Sequence, residues 1–265
     1  MLGRPVSHSL SPVLHRAAYA ALGLNWSYDA IDCDAAGLPA LLAERQDWAG
    51  FSCTMPLKRA LLDVAEEVRP VALHAGAANT LIPKPGGGWI ADNTDVAGIV
   101  ATLDEGNVVP KSVTVIGAGG TAQATVVALA ELGVTTCSLL VRHPARTAEV
   151  LETADRAHVD VDVVAFETDP PALDVDLVVS TLPPGAADQF VTASWHAQQT
   201  LLDMVYDPWP TPLAAAASAG GAQVLSGGLM LLHQAARQVE LMTGRPAPVA
   251  AMRAALRAAR PNAGL

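Results

Sequence analysis

The chain has 265 residues, and its 16 basic against 26 acidic side chains give a formal net charge of −10. That balance argues against general affinity for nucleic acid or anionic membranes, both of which depend on clustered positive charge. With 51% apolar and 16% charged residues the chain is expected to fold, and its length suits one or two domains of roughly 150 residues.

In chain order, Met1 to His8 lacks a basic stretch followed by an apolar core and does not read as a signal peptide. Helical segments after Pro12 and over Leu38–Glu44 alternate with short runs at Trp26–Ile31 and Gly50–Thr54, which predicts a first α/β unit. The β-branched run Val113–Ile116 ends at a glycine cluster, and Thr121–Leu132 reads as an Ala-rich helix closed by Gly133. Further strands are expected at Cys137–Val141, Val161–Phe166, Val175–Ser180 and Leu201–Val205. Such alternation predicts a parallel sheet covered on both faces. The least polar stretch, Pro212–Leu232, is broken by Gly and Ser. It therefore reads as a strand flanked by turns rather than a membrane helix, which needs roughly 20 continuous apolar residues. Leu229–Thr243 and Val249–Ala259 read as two closing helices. Cys33, Cys53 and Cys137 form no CxxC pair and leave an odd count, pointing away from a disulfide framework or a zinc site. A reducing, cytoplasmic setting and no bound metal are expected.

The segment Gly117-Ala-Gly-Gly-Thr-Ala122 lies between a predicted strand and a predicted helix. Gly117, Gly119 and Ala122 fill a G-x-G-x-x-G/A fingerprint, and with Ala118, Gly120 and Thr121 they are the expected contacts of a dinucleotide pyrophosphate at a helix N-terminus. An ordinary Gly-rich turn is the plainer alternative. The next strand ends in Val141-Arg142-His143, with Arg146 beyond it and no acid. NAD sites usually carry Asp or Glu there for the ribose hydroxyl, whereas Arg suits a 2′-phosphate, so Arg142 and Arg146 predict NADP. A solvated helix start is the other use of these arginines.

A dehydrogenase acting on an alcohol also needs a group that exchanges a proton with the oxygen as hydride moves. Lys58, in Thr54-Met-Pro-Leu-Lys58, and Asp95, in Asp92-Asn-Thr-Asp95, are candidates, although distant charges of this kind are ordinarily unrelated surface groups. Lysine is scarce: only Lys58, Lys84 and Lys111 occur among the 16 basic residues, and the last two fall in loop-like surroundings. An ammonium can exchange a proton where a guanidinium stays charged.

Ser7-His-Ser-Leu-Ser-Pro12, Thr54-Met-Pro-Leu-Lys58, Gly76-Ala-Ala-Asn-Thr80, Asp92-Asn-Thr-Asp95, the glycine loop and His233-Gln234-Ala235 occur in one order along the chain. In that order the sequence resembles the shikimate dehydrogenases over nearly its whole length. The resemblance implies reversible NADPH-dependent reduction of 3-dehydroshikimate to shikimate, a step toward chorismate and the aromatic amino acids. It implies a two-domain α/β fold with the substrate in the cleft between domains. Residues 1–96, completed by 230–265, would form the substrate-binding domain, and 97–229 the Rossmann-type NADP-binding domain. Lys58 and Asp95 would be the catalytic pair. Ser9 and Ser11 would take the substrate carboxylate, and Asn79 would join Lys58 and Asp95 around the ring hydroxyls. Thr54, Tyr206 and Gln234 match further substrate contacts, while Gly227 and Met230 match positions beside the nicotinamide. The expected partner is the small-molecule substrate, with a homodimer left open.

Several positions depart from the family pattern. Its Asn-Val-Thr before the lysine stands here as Ser52-Cys53-Thr54, and its Asn-Arg-Thr cofactor motif as Val141-Arg142-His143. Gln123 replaces a frequent Arg, Leu229 replaces a frequent small residue, and the apolar strand that usually precedes the motif at Gly3 is shortened or missing. Ser9 and Ser11 also suit capping of the following helix. His8, His15 and His233 lack metal-ligand spacing and read as structural. Tyr206, just past a strand end, suits packing as well as ligand contact. Two other functions compete: an NAD-dependent enzyme that also oxidises quinate, and a catalytically silent NADP-binding regulatory protein. The missing acid after Val141 argues against the first, and the presence of both Lys58 and Asp95 against the second.

Overall fold

In the computed structural model, which describes residues 1–166 and 171–265, chain contacts separate two units. One comprises Met1–Gly98 with Leu232–Ala259, the other Ile99–Leu231 with Arg260–Leu265.

The first unit opens with β1 (Leu2–Gly3), α1 (Ser11–Ala21), β2 (Ile31–Asp32), α2 (Leu38–Glu44) and β3 (Phe51–Ser52). It continues through α3 (Ala60–Val64), β4 (Glu67–Val68), α4 (Pro70–Ala75), β5 (Thr80–Pro83) and β6 (Trp89–Asp92) into α5 (Thr94–Glu105). The strands β3, β5, β6 and β4 lie in that order, and a parallel bridge from Leu2 to Cys53 brings the β1–β2 pair against β3. Leu2, Leu38, Leu57, Leu61 and Leu81 pack around Phe51, whose ring stacks on Trp48 at 5.3 Å and meets Trp89 edge-on at 5.0 Å.

Three features of this unit differ from the sequence-based expectation. The run Trp26–Ile31 contributes only its last residue to β2, because Trp26 and Tyr28 turn their rings toward Tyr19 and His15 instead of alternating across a sheet. Only Phe51 and Ser52 of Gly50–Thr54 form a strand. The hairpin of β5 and β6, joined through Pro83-Lys-Pro-Gly-Gly-Gly88, was not anticipated, since Pro83 ends a strand of only four residues.

The second unit takes α5 into β7 (Val113–Ile116), α6 (Gly120–Glu131), β8 (Thr136–Val141), α7 (Ala148–Ala157) and β9 (Asp160–Ala165). It then runs through β10 (Leu177–Ser180), β11 (Thr200–Asp203), α8 (Pro212–Ala219), β12 (Gln223–Ser226) and the start of α9 (Gly227–Thr243). All six strands are parallel in the order β12-β11-β10-β7-β8-β9, so the order reverses between β7 and β10, and ligands of such sheets bind at the carboxyl ends beside that reversal. Every residue of β7, β10 and β11 is buried, which accounts for their mostly apolar sequences.

The stretch 212–232 is not a strand between turns. Its first part is α8: Ala is the best helix former, Pro212 suits the first turn, and Thr211 caps the helix by accepting from Ala214 N at 3.0 Å. The expected strand is confined to β12, and α9 starts directly after it. α9 carries the chain back to the first unit, where α10 (Val249–Ala259) packs on α1. Arg260–Leu265 group with the second unit instead of closing the first. The Ser226 hydroxyl donates to the carbonyls of Ala263 and Gly264, each at 2.8 Å, and Arg260 pairs with Asp207 at 3.1 Å.

Candidate active site

In the first unit, the start of α5, the strand β5 and the segment after β3 bring polar residues together. Lys58 Nζ donates to Asp95 Oδ2 at 2.6 Å, with side-chain exposures of 19% and 9% that leave the ammonium reachable and the carboxylate covered. Asn79 Nδ2 donates to the other Asp95 oxygen at 2.8 Å. The backbone fixes this pairing: Ala78 N donates to the Lys58 carbonyl at 2.8 Å, and Asp95 N donates to Asn93 Oδ1 at 3.0 Å. Asn79 Oδ1 in turn accepts from Thr94 N at 2.8 Å, Thr94 Oγ1 at 3.1 Å and Thr80 Oγ1 at 2.8 Å. With its oxygen so occupied, the Asn79 amide must turn its donors to Asp95. Two residues far apart in sequence thus form a close ion pair, not unrelated surface charges.

Ser9 Oγ accepts from Ser11 N at 3.2 Å, and Ser11 is buried in the first turn of α1, while Leu10 occupies the cap position with no side-chain cap bond. The Tyr28 hydroxyl bonds to Ser52 Oγ and also meets the Ser11 side chain, giving a group of neutral hydroxyls able to orient a carboxylate. Burial pushes the Tyr28 phenol well above the ordinary tyrosine range, which keeps it neutral. Thr54 is half-buried, its amide bonded to the Leu2 carbonyl at 2.9 Å, and Gln234 is buried on α9. Tyr206 belongs to the second unit, on the segment after β11. Asp203 ties that segment down by accepting from Thr211 Oγ1 at 2.6 Å and Val205 N at 3.2 Å, and its burial raises the carboxyl above the usual range.

The glycine loop leaves β7 through Gly117, at φ +110°, a conformation that disfavours side chains. A Cβ there would stand 2.4 Å from Thr181 Oγ1. Gly119 precedes α6 with extended backbone and no side-chain cap, and a Cβ on it would point into open space, so the amides at the α6 N-terminus face a cradle that an anion can enter. Beside it lies a cavity of about 290 Å³ lined by Gly117, Ala118, Arg142, His143, Arg146 and Phe166, among others, with the Arg142 guanidinium 5.9 Å from the Phe166 ring centre. Among the described residues lining it there is no carboxylate. Two guanidiniums without a competing acid suit a 2′-phosphate, so the donor set fits NADP. Gln123 does not face this cradle: it is buried, with its amide donating to the Glu149 carbonyl of α7 at 3.2 Å. Gly227 lies where a Cβ would sit 2.0 Å from the Met204 carbonyl oxygen, and Met230 is half-buried one turn along α9.

Sequence reasoning passed over Tyr28, Ser52, Thr80, Thr94, Phe166 and Gln238, and treated His15 as merely structural. Ser52, Thr80 and Thr94 lay inside or beside the quoted motifs but carried no role there, while Tyr28, Phe166 and Gln238 are ordinary core or loop residues in their own segments that only folding brings to the candidate sites.

A parallel sheet in dinucleotide-binding order with a glycine cradle, together with a Lys–Asp pair and a group of neutral hydroxyls in the other unit, defines a nicotinamide-dependent oxidoreductase acting on a hydroxylated acid. Comparison with known proteins is specific. Residues 1–81 match the family model described as the shikimate dehydrogenase substrate binding domain, and 229–257 that of the shikimate 5′-dehydrogenase C-terminal domain. A protein of Moorella thermoacetica named shikimate dehydrogenase (NADP(+)) is 36% identical over 98% of this chain and 92% of its own length. The crystal structure of Mycobacterium tuberculosis shikimate dehydrogenase superposes with a TM-score of 0.88 at 43% identity, covering 97% of each chain. That of the Thermus thermophilus enzyme in complex with NADP(H) and shikimate gives 0.83 at 32% identity, again over 97% of each chain. The chain belongs to the shikimate dehydrogenase family.

Proposed function

We propose that this protein is an NADP-dependent shikimate dehydrogenase that interconverts 3-dehydroshikimate and shikimate, with the first unit binding substrate and the second the dinucleotide. The observation that carries the reading is the Lys58–Asp95 contact at 2.6 Å, with Asn79 holding the remaining carboxylate oxygen. Ser9 and Ser11, assisted by the Tyr28 and Ser52 hydroxyls, orient the substrate carboxylate. Thr54, Asn79, Gln234 and Tyr206 supply further contacts to the acid's hydroxyls and ring. The amides from Gly117 to Ala122 take the pyrophosphate, Arg142 and Arg146 the 2′-phosphate, and Gly227 and Met230 the nicotinamide end.

Bound NADPH supplies the hydride that the ring carbonyl carbon accepts. As negative charge develops on the carbonyl oxygen, Lys58 Nζ donates a proton to it, and solvent restores the ammonium. Asp95 keeps that ammonium aimed, and Asn79 keeps Asp95 from rotating away. In the oxidising direction the same lysine, once neutral, accepts the hydroxyl proton.

The buried, unpaired cysteines at 33, 53 and 137 support a reducing, cytoplasmic setting. A homodimer is one assembly open to this chain, and light scattering on the purified protein decides between it and a monomer. The decisive experiment follows NADPH absorbance with 3-dehydroshikimate, and the reverse reaction with shikimate or quinate, using either cofactor. Turnover of 3-dehydroshikimate with a strong preference for NADPH is expected. No turnover, or equal use of NADH, would overturn the assignment.

A further inference from the structure

Behind the Lys58–Asp95 pair lies a set of buried polar residues that binding and proton transfer do not by themselves require. His15 on α1 is fully buried, Gln238 on α9 is 1% exposed and Thr80 on β5 is fully buried. Buried polar groups are costly unless bonded, and here each bond constrains the next.

The Thr80 hydroxyl donates to Asn79 Oδ1, so its lone pairs are left to accept from Gln238 Nε2, at 3.0 Å. The same amide nitrogen reaches the Asn79 carbonyl at 3.3 Å. Gln238 must therefore turn Oε1 to His15 Nε2, at 3.1 Å, which places the ring proton on Nε2. His15 Nδ1 then accepts from the Tyr19 hydroxyl at 3.3 Å. Every donor points the same way: Tyr19 to His15, His15 to Gln238, Gln238 to Thr80, Thr80 to Asn79 and Asn79 to Asp95. A chain of one direction ending on an anion is mutually polarised, each bond strengthening the next. Desolvation pushes the His15 imidazole down to about 3, so the ring stays neutral and the direction is kept at ordinary pH. On its other side the His15 ring stacks on Tyr28 at 4.2 Å and 17°, the residue whose hydroxyl meets Ser11 and Ser52.

We propose that Gln238 and His15 are positioning residues: Gln238, through Thr80, sets Asn79 and thereby the aim of Asp95 on Lys58, while the His15 ring sets Tyr28 and the hydroxyls that meet the substrate carboxylate. This rests on the reading of Lys58 and Asp95 as the proton-handling pair of a shikimate dehydrogenase. One hub then serves both ends of the substrate, and the two ends respond to different substitutions. Gln238→Met keeps volume but removes the amide, and Thr80→Val removes the connecting hydroxyl with little change of shape. His15→Gln keeps an N–H donor where Nε2 stood but loses the flat ring beside Tyr28.

The test measures kcat and KM for shikimate oxidation in the full-length protein, with kcat expressed per shikimate-binding site counted by calorimetry, and the solvent deuterium isotope effect on kcat. Gln238→Met and Thr80→Val are expected to lower kcat by about tenfold, to leave KM within about threefold and to raise the isotope effect as proton transfer becomes misaligned. His15→Gln is expected to do the reverse, raising KM by about fivefold with kcat and isotope effect close to wild type. Were all three variants to lose only binding sites, with kcat per site, KM and isotope effect unchanged, these residues would be packing alone and the proposal would fall. A wild-type protein that does not turn over shikimate would instead sink the functional reading, and the relay with it.

Discussion

Replacing His15 by Gln is expected to flatten the acid side of the first unit's stability curve. His15 is fully buried, and desolvation, opposed by its bond to Gln238, lowers its pKa from 6.5 to about 3. In the unfolded chain the imidazole takes up a proton as pH falls below about 6.5, whereas in the native state it does so only near 3. Between these values the unfolded state binds the extra proton, so stability rises with pH across that window and is lost progressively as pH falls through it. Each pH unit inside the window is worth about 1.4 kcal/mol, so lowering pH from 7 to 5 should cost about 2 kcal/mol through this one residue. Tyr19 and Tyr28 face the ring, but burial raises both phenols, so neither titrates in this range; the Met1 amino group, lowered by burial to about 6 and acting on His15 through its charge, does, and it is common to both proteins. The measurement is urea unfolding at the two pH values, read by hydrogen exchange in peptides from α1 and α9, for wild type and His15→Gln. The glutamine variant starts less stable at neutral pH but should lose about 2 kcal/mol less on acidification. Parallel losses in the two proteins would show that His15 titrates normally in the native state, and would refute the reasoning.

Lys58→Ala should lower kcat by about a hundredfold or more with a smaller change in KM, and Lys58→Arg should not restore it, because a guanidinium stays charged. Near-normal kcat in either variant, measured by NADPH production from shikimate, removes Lys58 from the chemistry. Arg142→Ala should raise KM for NADPH by about tenfold while leaving NADH kinetics little changed, since only the 2′-phosphate distinguishes the two. An equal effect on both cofactors would place Arg142 elsewhere. Gly117→Ala forces a side chain to φ +110° and against Thr181 Oγ1, and should destabilise the second unit by about 1–3 kcal/mol and abolish NADP binding. Shikimate binding to the first unit, followed by calorimetry, should survive that substitution, and its loss would contradict the division of labour between units.

The departures from the family pattern acquire physical meaning in the fold. Ser52, in place of asparagine, gives the Tyr28 phenol a hydroxyl partner. Gln123, in place of arginine, spans from α6 to the backbone of α7, so it contributes to packing of the second unit, and Arg142 and Arg146 are the guanidiniums that line the cavity beside the glycine loop. His143, in place of a small polar residue, still lines the cavity beside Arg142.

What the amino-acid order determined by itself is what short range decides. The strand Val113–Ile116 and the helix Val249–Ala259 have the boundaries read from their periodicity, and the glycine loop sits between strand and helix, because apolar period and turn chemistry act over a few neighbouring residues. Lys58 and Asp95 stood out only through the resemblance of their flanking motifs to the family, since two such distant charges alone read as unrelated surface groups. Tertiary structure decided the rest. The apolar run after Pro212 divides into a helix and a strand because α8 has a cap and Ala-rich sequence while β12 has a neighbouring strand to pair with, and hydropathy alone does not separate the two. Trp26 and Tyr28 left the expected strand for an aromatic cluster whose members lie on α1. The bond between His15 and Gln238 joins residues 223 positions apart. Each looks like an unremarkable helical residue in its own segment, and only the return of α9 to the first unit makes the two neighbours, in a core where every buried donor must find an acceptor.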